Sequence, residues 1–169
     1  MAELLFYQLK MSTELQVRAK WFQADVIDPT LEELGLYSLS ASRLLLGTAI
    51  QESGLRYRKQ LGGGPARGYL QMEPATYTDI WTNYLSYRPD LANKVAVFKD
   101  SHSDMWQMAY NDRLCVCMSR IHYLRVPAPL PDAHDIEGMA QYWDKYYNCN
   151  PNIGTVSEYI TNWAKLLEA

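Results

Sequence analysis

Cysteine is scarce in this chain. There are three, Cys115, Cys117 and Cys149, an odd number with no C-x-x-C spacing. Neither a disulfide framework nor a cysteine-rich zinc site is expected from them. Basic charge is not in surplus either: sixteen Lys and Arg stand against nineteen Asp and Glu, a formal net charge of −3. Binding that works by neutralising phosphates needs the opposite balance, so no nucleic-acid partner is expected. No run of eighteen apolar residues occurs, so no membrane insertion is expected. The three histidines, His102, His122 and His134, lack any ligand spacing, and neither a metal nor a cofactor is expected. The stretch Gly62 to Gly68 is glycine-rich but lacks the Gly-Lys-Ser/Thr ending of a phosphate loop. The first ten residues carry an acid at Glu3 and an apolar run too short for a secretion signal, so synthesis in the cytoplasm is expected.

Phenylalanine is also rare, three residues, against thirteen Tyr and five Trp. Tyr and Trp pair a flat apolar face with a polar atom, which suits both cores and carbohydrate-binding clefts. With 169 residues, 48% of them hydrophobic, the chain is long enough for one domain with a real core. Apolar residues recur at three and four positions and alternating β-branched runs are few, so the fold class is all-α. The pattern predicts a helix capped by Ser12 or Thr13 and reaching Val26, and a short one over Leu31–Leu36. A buried helix follows, capped by Ser40 or Ser42, apolar all round and stopped at Gly54. Leu55 to Gly68 reads as a loop or small hairpin. Pro74 opens a helix to Tyr84, and another covers Pro89–Val97. A long one over Ser103–Val126 places Trp106, Tyr110, Leu114, Cys117 and Ile121 on one face, and Asp135–Tyr147 and Thr155–Leu167 complete the set. Trp81, Trp106 and Trp163 read as core, as do Cys115 and Cys117. Tyr142 with Tyr146, and Trp143 with Tyr147, pair at i,i+4. Residues 1–40 form an N-terminal helical extension packed on a single domain spanning 1–169.

The informative segment runs from Gln51 to Thr76. Glu52 ends the apolar helix just before the loop. A carboxyl half-sunk in apolar surroundings has a raised pKa and stays protonated near neutrality, as a general acid for glycosidic cleavage must. On position alone Glu52 also reads as a solvated residue of a last helical turn. Nineteen residues on from Glu52 comes Gln71, within Gly68-Tyr69-Leu70-Gln71-Met72-Glu73-Pro74-Ala75-Thr76. Glu52-Ser53 followed by this run resembles the soluble-type lytic transglycosylases and the related goose-type lysozymes, whose pattern is Glu-Ser and then Gly-Leu-Met-Gln-x-x-Pro-x-Thr. Tyr69 replaces the usual Leu and Leu70 the usual Met. The family's third motif is Ala-Tyr-Asn. Two stretches are candidates: Ala109-Tyr110-Asn111 matches by letters, and Tyr146-Tyr147-Asn148 matches by order along the chain and is preferred here.

The resemblance covers about Leu44 to the C-terminus and implies a lysozyme-like domain with a substrate cleft. The implied partner is the glycan of peptidoglycan. Glu52 would protonate the oxygen between N-acetylmuramic acid and N-acetylglucosamine, then act as base on the muramoyl 6-hydroxyl, giving a 1,6-anhydro product. Ser53, Tyr69, Gln71, Tyr147 and Asn148 would bind substrate or orient Glu52, with Tyr147 near enough to influence it. Glu73 stays open between two roles: holding a water, which would make a hydrolytic muramidase, or simply favouring a helix N-terminus. Arg56, Arg58, Lys59 and Arg67 read either as contacts for substrate carboxylates or as a solvated loop face. A wall-cleaving chain without a secretion signal is expected to be a bacteriophage lysin. It would be made in the host cytoplasm and act on periplasmic peptidoglycan, or ride in the virion with other phage proteins. A lysozyme-like module kept for structure or wall binding is the non-enzymatic alternative.

Overall fold

The computed structural model describes residues 2–148 and 154–167, with backbone alone for 2, 5–9, 11 and 12. Cys149 lies outside the described residues. The chain is all-α, with no strand among the described residues and no helix long and apolar enough to cross a membrane. Helix α1 (Ala2–Trp21) starts well before the expected Ser12 or Thr13 cap and runs through a π-turn, Phe22–Ile27, into α2 (Asp28–Leu34). The wide turn buries Phe22, Val26 and Ile27 together. Asp28-Pro29 then begins α2 in the place where a missing amide hydrogen costs nothing.

Helix α3 (Leu39–Ser53) is the central element. Its cap is Ser38, whose hydroxyl accepts from the Ala41 amide at 3.1 Å, and not Ser40 or Ser42. The reason is tertiary: Ser42 is fully buried and donates to Asp28, tying α3 to the start of α2. Leu44, Leu45, Ala49 and Ile50 are buried, and each large aliphatic contributes roughly 1.5–3 kcal/mol by leaving water. The helix ends where Gly54 takes a left-handed conformation, φ 58°, as the sequence predicts.

After the loop come α4 (Pro74–Asn83), α5 (Pro89–Ala96), α6 (Asp104–Tyr110), α7 (Asp112–Leu124), α8 (Ile136–Tyr146) and α9 (Val156–Ala164). The long helix expected over Ser103–Val126 is therefore two helices. Asn111 breaks it with φ −91° and ψ 88°, and its side chain accepts from the Leu114 amide to cap α7. The break swings Trp106 and Tyr110 outward, 41% and 44% exposed, so Trp106 is not core. Trp163 is buried, and Trp81 packs half-buried against its neighbours. Burial pushes the Cys115 and Cys117 thiols up to about 12, and the Cys115 thiol donates to the Met108 carbonyl.

Two cores meet along α7. The first gathers the π-turn, α3, α8 and α9, with Tyr123, Tyr142, Trp143, Tyr147, Tyr159 and Trp163. The second joins α4 to α7 around Met72, Ile80, Leu85, Met108, Met118 and Ile121. Helix α7 gives Val116 and Tyr123 to the first and Leu114, Cys117, Met118 and Ile121 to the second.

Candidate active site

The chain crosses from one core to the other within three residues. Leu70 is buried in the first and Met72 in the second. Gln71 stands between them with φ 49°, a left-handed conformation unusual outside glycine. The pairing that enforces this is local. Arg67 and Met72 exchange backbone hydrogen bonds at 3.0 and 3.1 Å, and Lys59 bridges Arg67 from the other side. Gly68 sits inside that turn with φ 74°, and a Cβ there would lie 2.6 Å from the Met108 carbonyl oxygen. Only glycine meets both demands. The loop read from the sequence is thus held by short antiparallel bridges.

A cleft of about 380 Å³ opens over this crossing. Gln51, Glu52, Trp143 and Tyr147 line it from the first core, and Met72, Glu73 and Thr76 from the second. Tyr57, Gln60 and Leu61 of the loop, His122 of α7 and Asn148 close the remaining sides. Glu52 is largely buried there, and its carboxyl is raised from 4.5 to about 7 because burial removes it from water. One interaction opposes that shift: the Trp143 indole donates to Glu52 Oε1 at 2.8 Å.

Each residue singled out in the sequence has a definite place. Gln71 lines the cleft, with its amide donating to the Gly68 and Tyr57 carbonyls. Tyr147 and Asn148 line it too, whereas Tyr110 and Asn111 do not. The Tyr147 hydroxyl, however, turns inward. It donates to the Leu70 carbonyl at 2.8 Å and lies 3.0 Å from the Ser119 hydroxyl. The side chain that hydrogen-bonds Glu52 is Trp143. Glu73 is exposed on the cleft rim and is the residue just before α4, where its charge favours the helix N-terminus.

Ser53 and Tyr69 are not among the residues that line the cleft. Ser53 is buried and donates to the Ala49 and Tyr69 carbonyls while accepting from the Leu55 amide, which locks the end of α3. The Tyr69 ring is covered by the Arg58 guanidinium on one face and meets Phe22 edge-on. The basic residues also face elsewhere. Arg58 forms a two-pronged ion pair with Asp112, Arg56 reaches Glu14, and Arg67 donates to the Gly64 and Ala66 carbonyls. None of them, nor Lys59, lines the cleft.

Sequence reasoning missed His122. Its Nε2 lies 2.9 Å from the Tyr146 carbonyl and Nδ1 the same distance from Arg125, so the ring donates at Nε2 and accepts at Nδ1. Burial and the neighbouring Arg125 charge hold its pKa below the usual value, which keeps it neutral. Four side-chain amides, Gln51, Gln60, Gln71 and Asn148, also line the cleft, together with Tyr57 and Thr76. Comparison with models of known protein families, with curated proteins and with solved structures returned no match.

Proposed function

We propose that this protein cleaves the β-1,4-linked glycan of peptidoglycan, with Glu52 as the acid. The observation that carries the reading is the Glu52 carboxyl, set in a cleft and raised to about 7, so that much of it holds its proton at neutral pH. A general acid works best with a pKa near the working pH. The amide-rich lining supports an N-acetylated, uncharged sugar backbone, since amides both donate to and accept from hydroxyl and acetamido groups. No Lys or Arg lines the cleft among the described residues, which argues against a polyanionic glycan. The Glu52-Ser53 and Gln71-x-x-Pro74-x-Thr76 pattern, which resembles the lytic transglycosylases, points the same way.

In this reading the Glu52 proton passes to the glycosidic oxygen as its bond to the muramoyl carbon breaks. The resulting carboxylate then takes the proton of the muramoyl 6-hydroxyl as that oxygen closes on the same carbon. One residue serves twice, and no water is consumed. Glu73 favours a second reading. It lines the same cleft, and its carboxylate makes no hydrogen bond to the cap of α4, which leaves it able to hold a water. Mass spectrometry of digested purified sacculi tests both. Anhydromuramic ends are expected; reducing ends would show hydrolysis. No soluble fragments at all, with intact folded protein, would refute glycan cleavage.

A further inference from the structure

The indole N–H is a donor only; it has no lone pair with which to accept. The Glu52 Oε1 atom, 2.8 Å from the Trp143 Nε1, must therefore be an acceptor in every protonation state of the pair. A protonated carboxyl oxygen is a poorer acceptor than the carbonyl oxygen beside it, so the indole bond favours the form that carries the proton on Oε2. Oε2 has no protein partner among the described residues. We propose that Trp143 is a positioning residue that confines the acidic proton of Glu52 to Oε2, the oxygen left for the cleft. This deepens the reading of Glu52 as acid and rests on it for its role in catalysis.

Trp143 is well built for such a task. It is 2% exposed, on α8, with its ring tilted against Tyr159 at 5.6 Å between centroids. The backbone at Gly154 comes so close that a Cβ there would stand 3.0 Å from the indole ring and 2.9 Å from the Gln51 amide nitrogen. A ring clamped on two sides holds its N–H in one direction. The consequence for the reaction is an ordered exchange at a single oxygen. Oε2 gives its proton to the glycosidic oxygen, whose bonding pair departs with it. Oε2 then receives the proton of the 6-hydroxyl, whose oxygen supplies the electron pair of the new bond. Throughout, the negative charge that appears on the carboxylate is met at Oε1 by the indole N–H.

The test reads the pair with and without turnover. In wild-type protein labelled with 15N, one of the five indole N–H resonances is expected to titrate with a midpoint near the Glu52 value of about 7. That titration should vanish in Glu52→Gln, and the resonance itself in Trp143→Phe. If no indole resonance titrates, or if the titration survives Glu52→Gln, the proposal is overturned whatever the protein cleaves. With sacculi as substrate, Trp143→Phe should lower kcat about tenfold or more with KM little changed, the scale of one hydrogen bond to a charged group. Loss of a donor that favours the carboxylate should also move the falling alkaline limb of the rate profile to higher pH. An unchanged profile and turnover would overturn the positioning role. A titrating indole in a wild-type protein that cleaves no glycan would overturn the functional reading and leave the proton placement standing.

Discussion

The core around α3 and α8 is rich in side chains that join a flat apolar ring to a polar atom, whereas the core around α4 and α7 is filled mostly by methionine, leucine and isoleucine. The difference shows in what each can hold. In the first, Tyr123 meets the Thr48 hydroxyl, Tyr142 donates to the Ala128 carbonyl, Tyr147 to the Leu70 carbonyl and Trp143 to Glu52. These bonds fix directions as well as distances. The second core contributes shape and a rigid seat for Met72 and Glu73, and its flexible thioethers fill space without aiming anything. A cleft at the junction thus has one wall that positions chemistry and one that supports it. Part of the excess of Tyr and Trp over Phe is explained by the first wall: four of its six buried phenols and indoles make a hydrogen bond, whereas the Tyr159 hydroxyl and the Trp163 indole find no partner among the described residues.

The largest expected effect lies on the positioning wall. Glu52→Gln keeps the shape and can still accept from Trp143, but it has no proton to give. Activity on sacculi should fall by about two to three orders of magnitude. Near wild-type clearing would end the assignment of Glu52 as the acid. The same change should stabilise the fold at alkaline pH. The folded-state value, about 7, lies above the ordinary 4.5, so Glu52 favours folding most at low pH. That benefit is lost as pH rises through 4.5 toward 7, a difference of about 3 kcal/mol in full. Thermal melts should therefore show Glu52→Gln gaining on wild type between pH 4 and pH 8. A constant difference across that range would mean that the carboxyl is not buried as described.

Next comes Tyr147→Phe. The resemblance implied a hydroxyl offered to substrate or to Glu52. Because that hydroxyl is a strut between α8, the Leu70 carbonyl and Ser119, its loss leaves buried polar atoms unpaired. A cost of about 1–3 kcal/mol in thermal stability is expected, with turnover falling as Leu70 and its neighbour Gln71 loosen. Tyr110→Phe, on the exposed surface, should change neither by a measurable amount. Equal effects of the two would erase the distinction between the walls.

On the supporting wall, Met118→Leu should cost less than about 1.5 kcal/mol and leave product yield unaltered. Met118 is buried among Met72, Tyr77, Met108 and Leu114, where a small residual void of about 10 Å³ gives a new side chain room to settle. A loss of activity on the scale of Tyr147→Phe would show that this core also aims residues into the cleft.

Much of this was legible in the sequence because it depends on local chemistry. Gly54 ends α3 and Pro74 opens α4, each through a backbone preference that needs no partner, and Asp135 caps α8 by accepting from the Gly138 amide three residues on. The place of Glu52 at the end of an apolar helix admitted both a half-sunk and a solvated carboxyl, and the cleft that covers it is built from distant residues. What was hidden depends on contacts distant in sequence. The break at Asn111 interrupts an apolar period that continues on both sides, so only the capping ability of Asn marked it. Trp143 and Glu52 are 91 residues apart, and an aromatic at i,i+4 from Tyr147 looks like any core residue. Arg58 found Asp112 across 54 residues, which removed it from the cleft for a reason no loop composition announces. Ser53, next to the acid, was drawn into backbone bonds because the end of α3 has carbonyls and amides to satisfy.

The smallest expected effect on stability, and the one that most sharpens the comparison, is at Glu73. Its carboxylate stands at the N-terminus of α4 without a side-chain cap bond, so its charge helps the helix only through the dipole. Glu73→Gln should cost a few tenths of a kcal/mol, about what a charge at an exposed helix end supplies. Its effect on the products decides whether the supporting wall takes part in the chemistry. If Glu52 acts alone, the variant keeps most activity and still releases anhydromuramic ends, because the 6-hydroxyl is the nucleophile. If Glu73 holds a water, the variant is inactive and wild-type products carry reducing ends. The first outcome is expected. Glu52 is largely withdrawn from water and has a directional partner in Trp143, whereas Glu73 is exposed, with nothing among the described residues to fix its carboxylate in one orientation. A general base needs its acceptor atom held within hydrogen-bond reach of one water, and an unanchored side chain on a cleft rim supplies that geometry poorly.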